Sequence, residues 1–189
     1  MEYLANKLTD YIIEKGIITE DMTGIYKYGF QCFLEFSVST LCSIIIALFF
    51  GMLPECLFFF LLFIPMRSFG GGLHMRTYLA CFTGSCFILT STLLAVKYLT
   101  IPLFPSFVLY LFTAILILAI GPVDHPNREV DGKDNHIFIK RTYFTMLASF
   151  LLSLLFIYTA NRRYMFLQAA VFTFIFATSL IGRLIYKKS

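Results

Sequence analysis

Long apolar runs dominate this chain and limit what it can fold into. A bilayer core roughly 30 Å thick takes about 20 mostly apolar residues per helix. Six segments meet that measure, near 31–51, 53–69, 78–96, 102–120, 142–160 and 165–185. A backbone in lipid must satisfy its own hydrogen bonds, so spans of this kind have to be helices. The expected class is all-α: a polytopic membrane protein with six transmembrane helices. Composition agrees, because 59% of the 189 residues are hydrophobic and only 14% are charged, where a soluble domain carries about a quarter. The second segment is the weakest. Its uninterrupted part, "CLFFFLLFIPM", follows Pro54 and Glu55 and precedes Arg67, so it reads as a tilted span with a snorkelling arginine or as a re-entrant segment.

The basic residues decide between those two. With six spans, one side of the membrane holds Lys7, Lys15, Lys27, Arg67, Arg76, Arg128, Lys133, Lys140, Arg141, Arg183, Lys187 and Lys188, and the other holds Lys97, Arg162 and Arg163. Twelve against three is a positive-inside bias that puts both termini and the glycine-rich loop in the cytoplasm. A re-entrant second segment turns the count into six against nine, so six spans are expected. The net charge of +4 is thus a topology signal, and no nucleic-acid partner is expected. No basic start leads into a short apolar core with a small-residue cleavage site, so no removable signal peptide is expected.

The expected organisation has two parts. Residues 1–30 form amphipathic helices on the cytoplasmic face: Leu4, Leu8, Tyr11 and Ile12, then Ile18, Met22 and Ile25, recur at helical spacing around a break at Gly16. Thr19 followed by Glu20 and Asp21 resembles a helix start. Packing on the bundle is an equally good account of these faces. Residues 31–189 form a single six-span domain, with cytoplasmic loops at 67–77 and 121–141. The second loop, "GPVDHPNREVDGKDNHIFIKR", is rich in turn signals. His125 and His136 lie in it, but their spacing fits no common metal site.

The five cysteines are Cys32, Cys42, Cys56, Cys81 and Cys86, and none forms a CxxC pair. Neither a disulfide framework nor a zinc site is expected, and most read as small buried hydrophobes. Cys81 has different company, "RSFGGGLHMRTYLAC" at 67–81. Histidine and cysteine together make a thiolate nucleophile: a neighbouring imidazolium lowers a thiol from its usual value near about 8.5 by several units, whereas burial in apolar surroundings raises it. A working pair therefore belongs at the wet edge of the bilayer, where the topology puts His74 and Cys81.

Distance adds a condition. Residues seven apart on one helix stand roughly 10.5 Å apart along the axis, against a hydrogen-bond reach of about 3 Å. A regular helix cannot run through the whole interval 74–81. Gly70, Gly71 and Gly72 supply the backbone freedom for a bend. Gly71 and Gly72 also offer N–H groups to a developing oxyanion, and Arg67 suits a substrate carboxylate. The residues alone leave a second reading equally open, in which the glycines are a flexible turn, His74 an interfacial polar residue and Arg67 a topology signal.

The stretch resembles the signature of the AgrB (accessory gene regulator protein B) family: an arginine, a glycine two before a histidine, and a cysteine seven after it, here Arg67, Gly72, His74 and Cys81. "GPVDHPNREV" at 121–130 is similar to the family's proline-containing loop, with Gly121 where alanine is common, and acids dilute the family's basic run. The resemblance covers essentially the whole chain. It implies a bacterial membrane cysteine endopeptidase that cuts the C-terminal tail from the quorum-sensing propeptide AgrD. Catalysis would fall to Cys81 as nucleophile and His74 as base, and a thioester would pass to a cysteine or serine of the substrate to close a ring. It also implies a homodimer. No cofactor or metal is called for.

Two other classes stay in view. A small peptide transporter fits six spans and the polar residues of "TGSCFILTST", although no internal repeat and no GxxxxGK[ST] motif is present. A packing scaffold explains small residues as close helix contacts. Other intramembrane proteases are excluded more firmly: the chain has no Gly-x-Ser-x-Gly and no His-Glu-x-x-His, and the aspartates beyond the N-terminal region all lie in the 121–141 loop. Glu35 is a weak candidate to orient His74, being near the end of its span where snorkelling is cheap. Cys86 falls on another helical face.

Overall fold

The computed structural model describes residues 1–70, 77–121 and 132–186. Among them the regular elements are all helical: α1 (Glu2–Glu14), a 3-10 turn (Glu20–Met22), α2 (Thr23–Phe50), α3 (Leu53–Gly70), α4 (Tyr78–Tyr98), α5 (Leu103–Ile120), α6 (Gly132–Tyr158) and α7 (Arg162–Tyr186). Five stretches, Glu20–Phe50, Tyr78–Tyr98, Leu103–Ile120, Ile137–Tyr158 and Arg162–Ile185, are long and apolar enough to cross a membrane by length and composition. The expected second span, α3, is a helix of 18 residues but is not among those five. Hydropathy and helix length diverge at two other places. α2 starts at Thr23 rather than 31, absorbing most of the second short helix expected before it, and α6 starts at Gly132 rather than 142, inside the expected loop. Backbone hydrogen bonding carries a helix past the end of its apolar run when no proline stops it.

Helix ends follow from local backbone chemistry. α2 closes on Gly51 (φ 67°), with the N–H of Met52 bonded to Ala47 O at 2.8 Å and that of Gly51 to Leu48 O at 3.0 Å. This paired arrangement needs a left-handed residue, which glycine adopts without strain. The same pairing ends α6, but there the left-handed residue is Ala160 (φ 51°), with Asn161 N–H on Phe156 O at 2.9 Å.

The chain divides into two compact units, Met1–Ile46 and Ala47–Ser189. In the first, Lys27 of α2 pairs with Glu2 of α1 at 3.1 Å. Ala5 and Thr9 of α1 are buried, while Leu4, Leu8 and Tyr11 are exposed along one helical face.

In the second unit α7 is the axis, packed against α3, α4, α5 and α6. Of its apolar window 61% is buried, against 22% for α4 and α5. Met165, Leu167, Val171 and Phe172 form the core, and Phe172 meets the Tyr110 ring edge-on at 4.9 Å. Gln168 is fully buried beside them, its Nε2 donating to Ser149 O and Oγ at 2.7 Å each. Outward-facing Phe87, Phe104 and Phe144 are exposed, an apolar surface of the kind that a bilayer or a partner chain covers. The two ends of the unit are tied by charge. At one end Arg163 of α7 meets Glu55 of α3 at 2.8 Å, and Lys97 of α4 donates to Phe50 O at 3.1 Å. At the other end Arg183 of α7 donates to Ile120 O of α5 at 2.7 Å, and the Arg141 guanidinium of α6 lies 5.4 Å from the centre of the Phe69 ring of α3.

Candidate active site

Cys81 sits in the first turns of α4, half-buried. Thr77 starts that helix. Its backbone is extended (φ −125°, ψ 144°), and its side chain accepts from the Ala80 N–H at 3.4 Å. Its carbonyl accepts the Cys81 N–H at 3.2 Å. A threonine oxygen here satisfies a donor that the first turn leaves without an intrahelical partner. An extended Thr77 also means that no regular helix connects 74 to 81, as the distance argument required. The Cys81 carbonyl accepts from the Ser85 hydroxyl at 2.9 Å, so this turn is held on both sides.

Arg67 is half-buried near the C-terminal end of α3. α3 and α4 pack together and are consecutive, so the end of α3 and the start of α4 lie at the same end of the unit. The structure brings Arg67 and Cys81 to that end. Gly71, Gly72 and His74 lie outside the described residues, as do His125 and all of the 121–130 stretch except Gly121. Gly121 (φ 72°) caps α5, its N–H bonded to Ile117 O at 3.0 Å. The left-handed backbone accounts for glycine at a position where alanine would be strained.

Beside this end, α3, α5, α6 and α7 enclose a cavity of about 100 Å³, lined by residues that include Met66, Ile117, Thr142, Tyr143 and Ser179. That is room for a side chain, not for a peptide. Glu35 accepts from Gln31 Nε2 at 3.0 Å within α2. Cys86, half-buried, lies five residues past Cys81 on a different face of α4. Among the described residues no three His, Cys, Asp or Glu side chains gather as a metal site would require.

Two features of the opposite end were not foreseen from sequence: the Glu55–Arg163 ion pair, and a cavity of about 420 Å³ lined in part by Lys97, Arg162 and Arg163. The signal was present. The three bases assigned to that side share it with one acid, since Glu55 is the chain's only acidic residue between Glu35 and Asp124.

Fold and composition define a multi-pass, all-helical membrane protein with an arginine and a helix-start cysteine at one end. The family model for accessory gene regulator B, AgrB, matches residues 5–181, and the chain belongs to that family. No curated protein and no solved structure matches it.

Proposed function

We propose that this protein is a membrane-embedded cysteine endopeptidase that removes the C-terminal tail of an AgrD-like propeptide and passes the acyl group on to form a cyclic peptide. The carrying observation is the family match over residues 5–181, which takes in Arg67, Gly71, Gly72, His74 and Cys81. The extended backbone at Thr77 supports it, because it removes the helix that would hold His74 and Cys81 apart.

In the mechanism, His74 takes the thiol proton and Cys81 Sγ attacks the scissile carbonyl carbon. N–H groups of Gly71 and Gly72 stabilise the oxyanion. The C–N bond breaks, the leaving amine takes the proton from His74, and the N-terminal part remains as a thioester. A thiol or hydroxyl of the substrate then gives its proton to His74 and displaces Sγ, which recovers a proton as the ring closes. Exchange of one thioester for another keeps the acyl bond energy that hydrolysis would lose, and a site that excludes water favours it. Arg67 holds a substrate carboxylate.

The topology proposed with this activity has six spans in a bacterial cell membrane, both termini cytoplasmic, and two copies of the chain acting as a homodimer. Counting α3 as a span is supported by its contacts. It begins at the end where α7 begins and finishes beside α6 at the other end, and its 18 residues cover roughly 27 Å, near the thickness of a bilayer core.

The test is incubation of the purified protein in liposomes with its propeptide, followed by mass spectrometry. Wild type should release the tail and leave an N-terminal fragment one water lighter than the hydrolysed form. Cys81→Ser and His74→Ala should release none. Equal products from all three would discard the pair and make peptide transport the leading function.

A further inference from the structure

We propose that the cavity at the end remote from Cys81 binds the phosphodiester headgroup of an anionic glycerophospholipid through Lys97, Arg162 and Arg163. All three basic residues assigned to that side line this single space of about 420 Å³, a volume within the usual range of ligand sites, about 300–1,000 Å³. The charges are not balanced there. Glu55 pairs with Arg163 at 2.8 Å, and the Lys97 Nζ gives one hydrogen bond to the neutral Phe50 carbonyl, which leaves two donors. Arg162 is exposed. Of the three cations only Arg163 therefore has a carboxylate partner, at the end that the proposed topology puts on the side where positive charge opposes the topology rule. A convergence that topology does not explain needs an anion to complete it.

The rest of the lining says which anion. Phe50, Met52, Val96, Leu99, Ile101 and Phe166 contribute apolar surface to the same space. The cavity lies where α2 and α4 end and α7 begins, which the proposed topology puts at the level where headgroups meet acyl chains. The N-terminus of α7 adds its dipole in the same sense. A phosphate with hydrocarbon attached fits both halves of this lining, whereas a soluble oxyanion uses only one. Lys97 lies sixteen residues past Cys81 on α4, roughly 24 Å along the axis, so the site is separate from the peptidase centre; it rests on the six-span topology proposed above and not on the peptidase chemistry.

The experiment uses the full chain in mild detergent, titrated with phosphatidylglycerol, phosphatidylcholine or inorganic phosphate. Bound lipid is counted by native mass spectrometry and thermal unfolding is followed in parallel. One phosphatidylglycerol should bind per chain, about tenfold or more tighter than phosphatidylcholine. With each basic residue worth a factor of roughly five, K97Q/R162Q should lose that preference. Glu55→Gln, which removes the carboxylate that neutralises Arg163, should bind phosphatidylglycerol more tightly than wild type, so the test survives a poorly folded double variant. Equal binding of the two lipids, an unchanged preference in K97Q/R162Q, or weaker binding by Glu55→Gln would overturn the site. Displacement of the lipid by an equal concentration of inorganic phosphate would assign it to a soluble oxyanion instead.

Discussion

Removing Arg163 should cost this protein more than removing Glu55, although the two make one contact. The Glu55 side chain is 7% exposed and that of Arg163 50%, with 2.8 Å between them. Breaking a fully buried ion pair from one side costs about 3–5 kcal/mol, and a fully exposed pair contributes about 0–1 kcal/mol. This pair is buried on its acidic side only. In Arg163→Gln the carboxylate stays nearly buried and loses its cation, while its place in the first turn of α3 offsets about 0.3–1 kcal/mol. The expected cost is about 2 kcal/mol. In Glu55→Gln the stranded group is an arginine that water already reaches, and the amide still accepts a hydrogen bond, so about 1 kcal/mol is expected. The double variant should resemble Glu55→Gln alone. For a chain of this size 1 kcal/mol moves the midpoint by roughly 2–4 °C, so thermal unfolding in detergent separates the variants. A Glu55→Gln loss equal to or larger than that of Arg163→Gln, or simple additivity in the double variant, would refute this reasoning.

Two further substitutions test the packing. Ala160 is exposed and left-handed (φ 51°), so Ala160→Gly should raise stability by about 0.5–1 kcal/mol, read as a higher unfolding midpoint; a fall would show that the alanine is not strained. Gln168 is fully buried, and its Oε1 finds no hydrogen-bond partner among the described residues. Gln168→Leu, which loses two hydrogen bonds but removes an unsatisfied acceptor, should stay within about 1 kcal/mol of wild type. Gln168→Ala should lose about 2–4 kcal/mol to the cavity it leaves, and a Leu variant as unstable as the Ala variant would contradict the assignment.

The apolar runs at 78–96, 102–120 and 165–185 returned as α4, α5 and α7 within a few residues, because hydropathy registers what lipid must cover. It does not register where hydrogen bonding stops, which is why Thr23–Phe30 and Gly132–Arg141 are helical beyond their apolar segments. The break ahead of Cys81 was legible from distance alone, since seven residues of helix are too long for a hydrogen bond, and Thr77 supplies it. Arg67, His74 and Cys81 are proposed for the site as residue types at a family spacing. The pairing of Glu55 with Arg163 and the gathering of Lys97 and Arg162 beside them were not, because they join α3, α4 and α7 across long sequence separations. Only the packing around α7 brings them together.

The most direct test of the proposed chemistry is the intact mass of the protein after incubation with a propeptide whose internal nucleophile has been replaced by alanine, so that ring closure is blocked. Wild type should gain the mass of the N-terminal fragment on Cys81, as a thioester that hydroxylamine removes. Cys81→Ser should show no such thioester. Release of the tail by wild type with no adduct at any time, or undiminished release by Cys81→Ser, would contradict a nucleophilic role for Cys81.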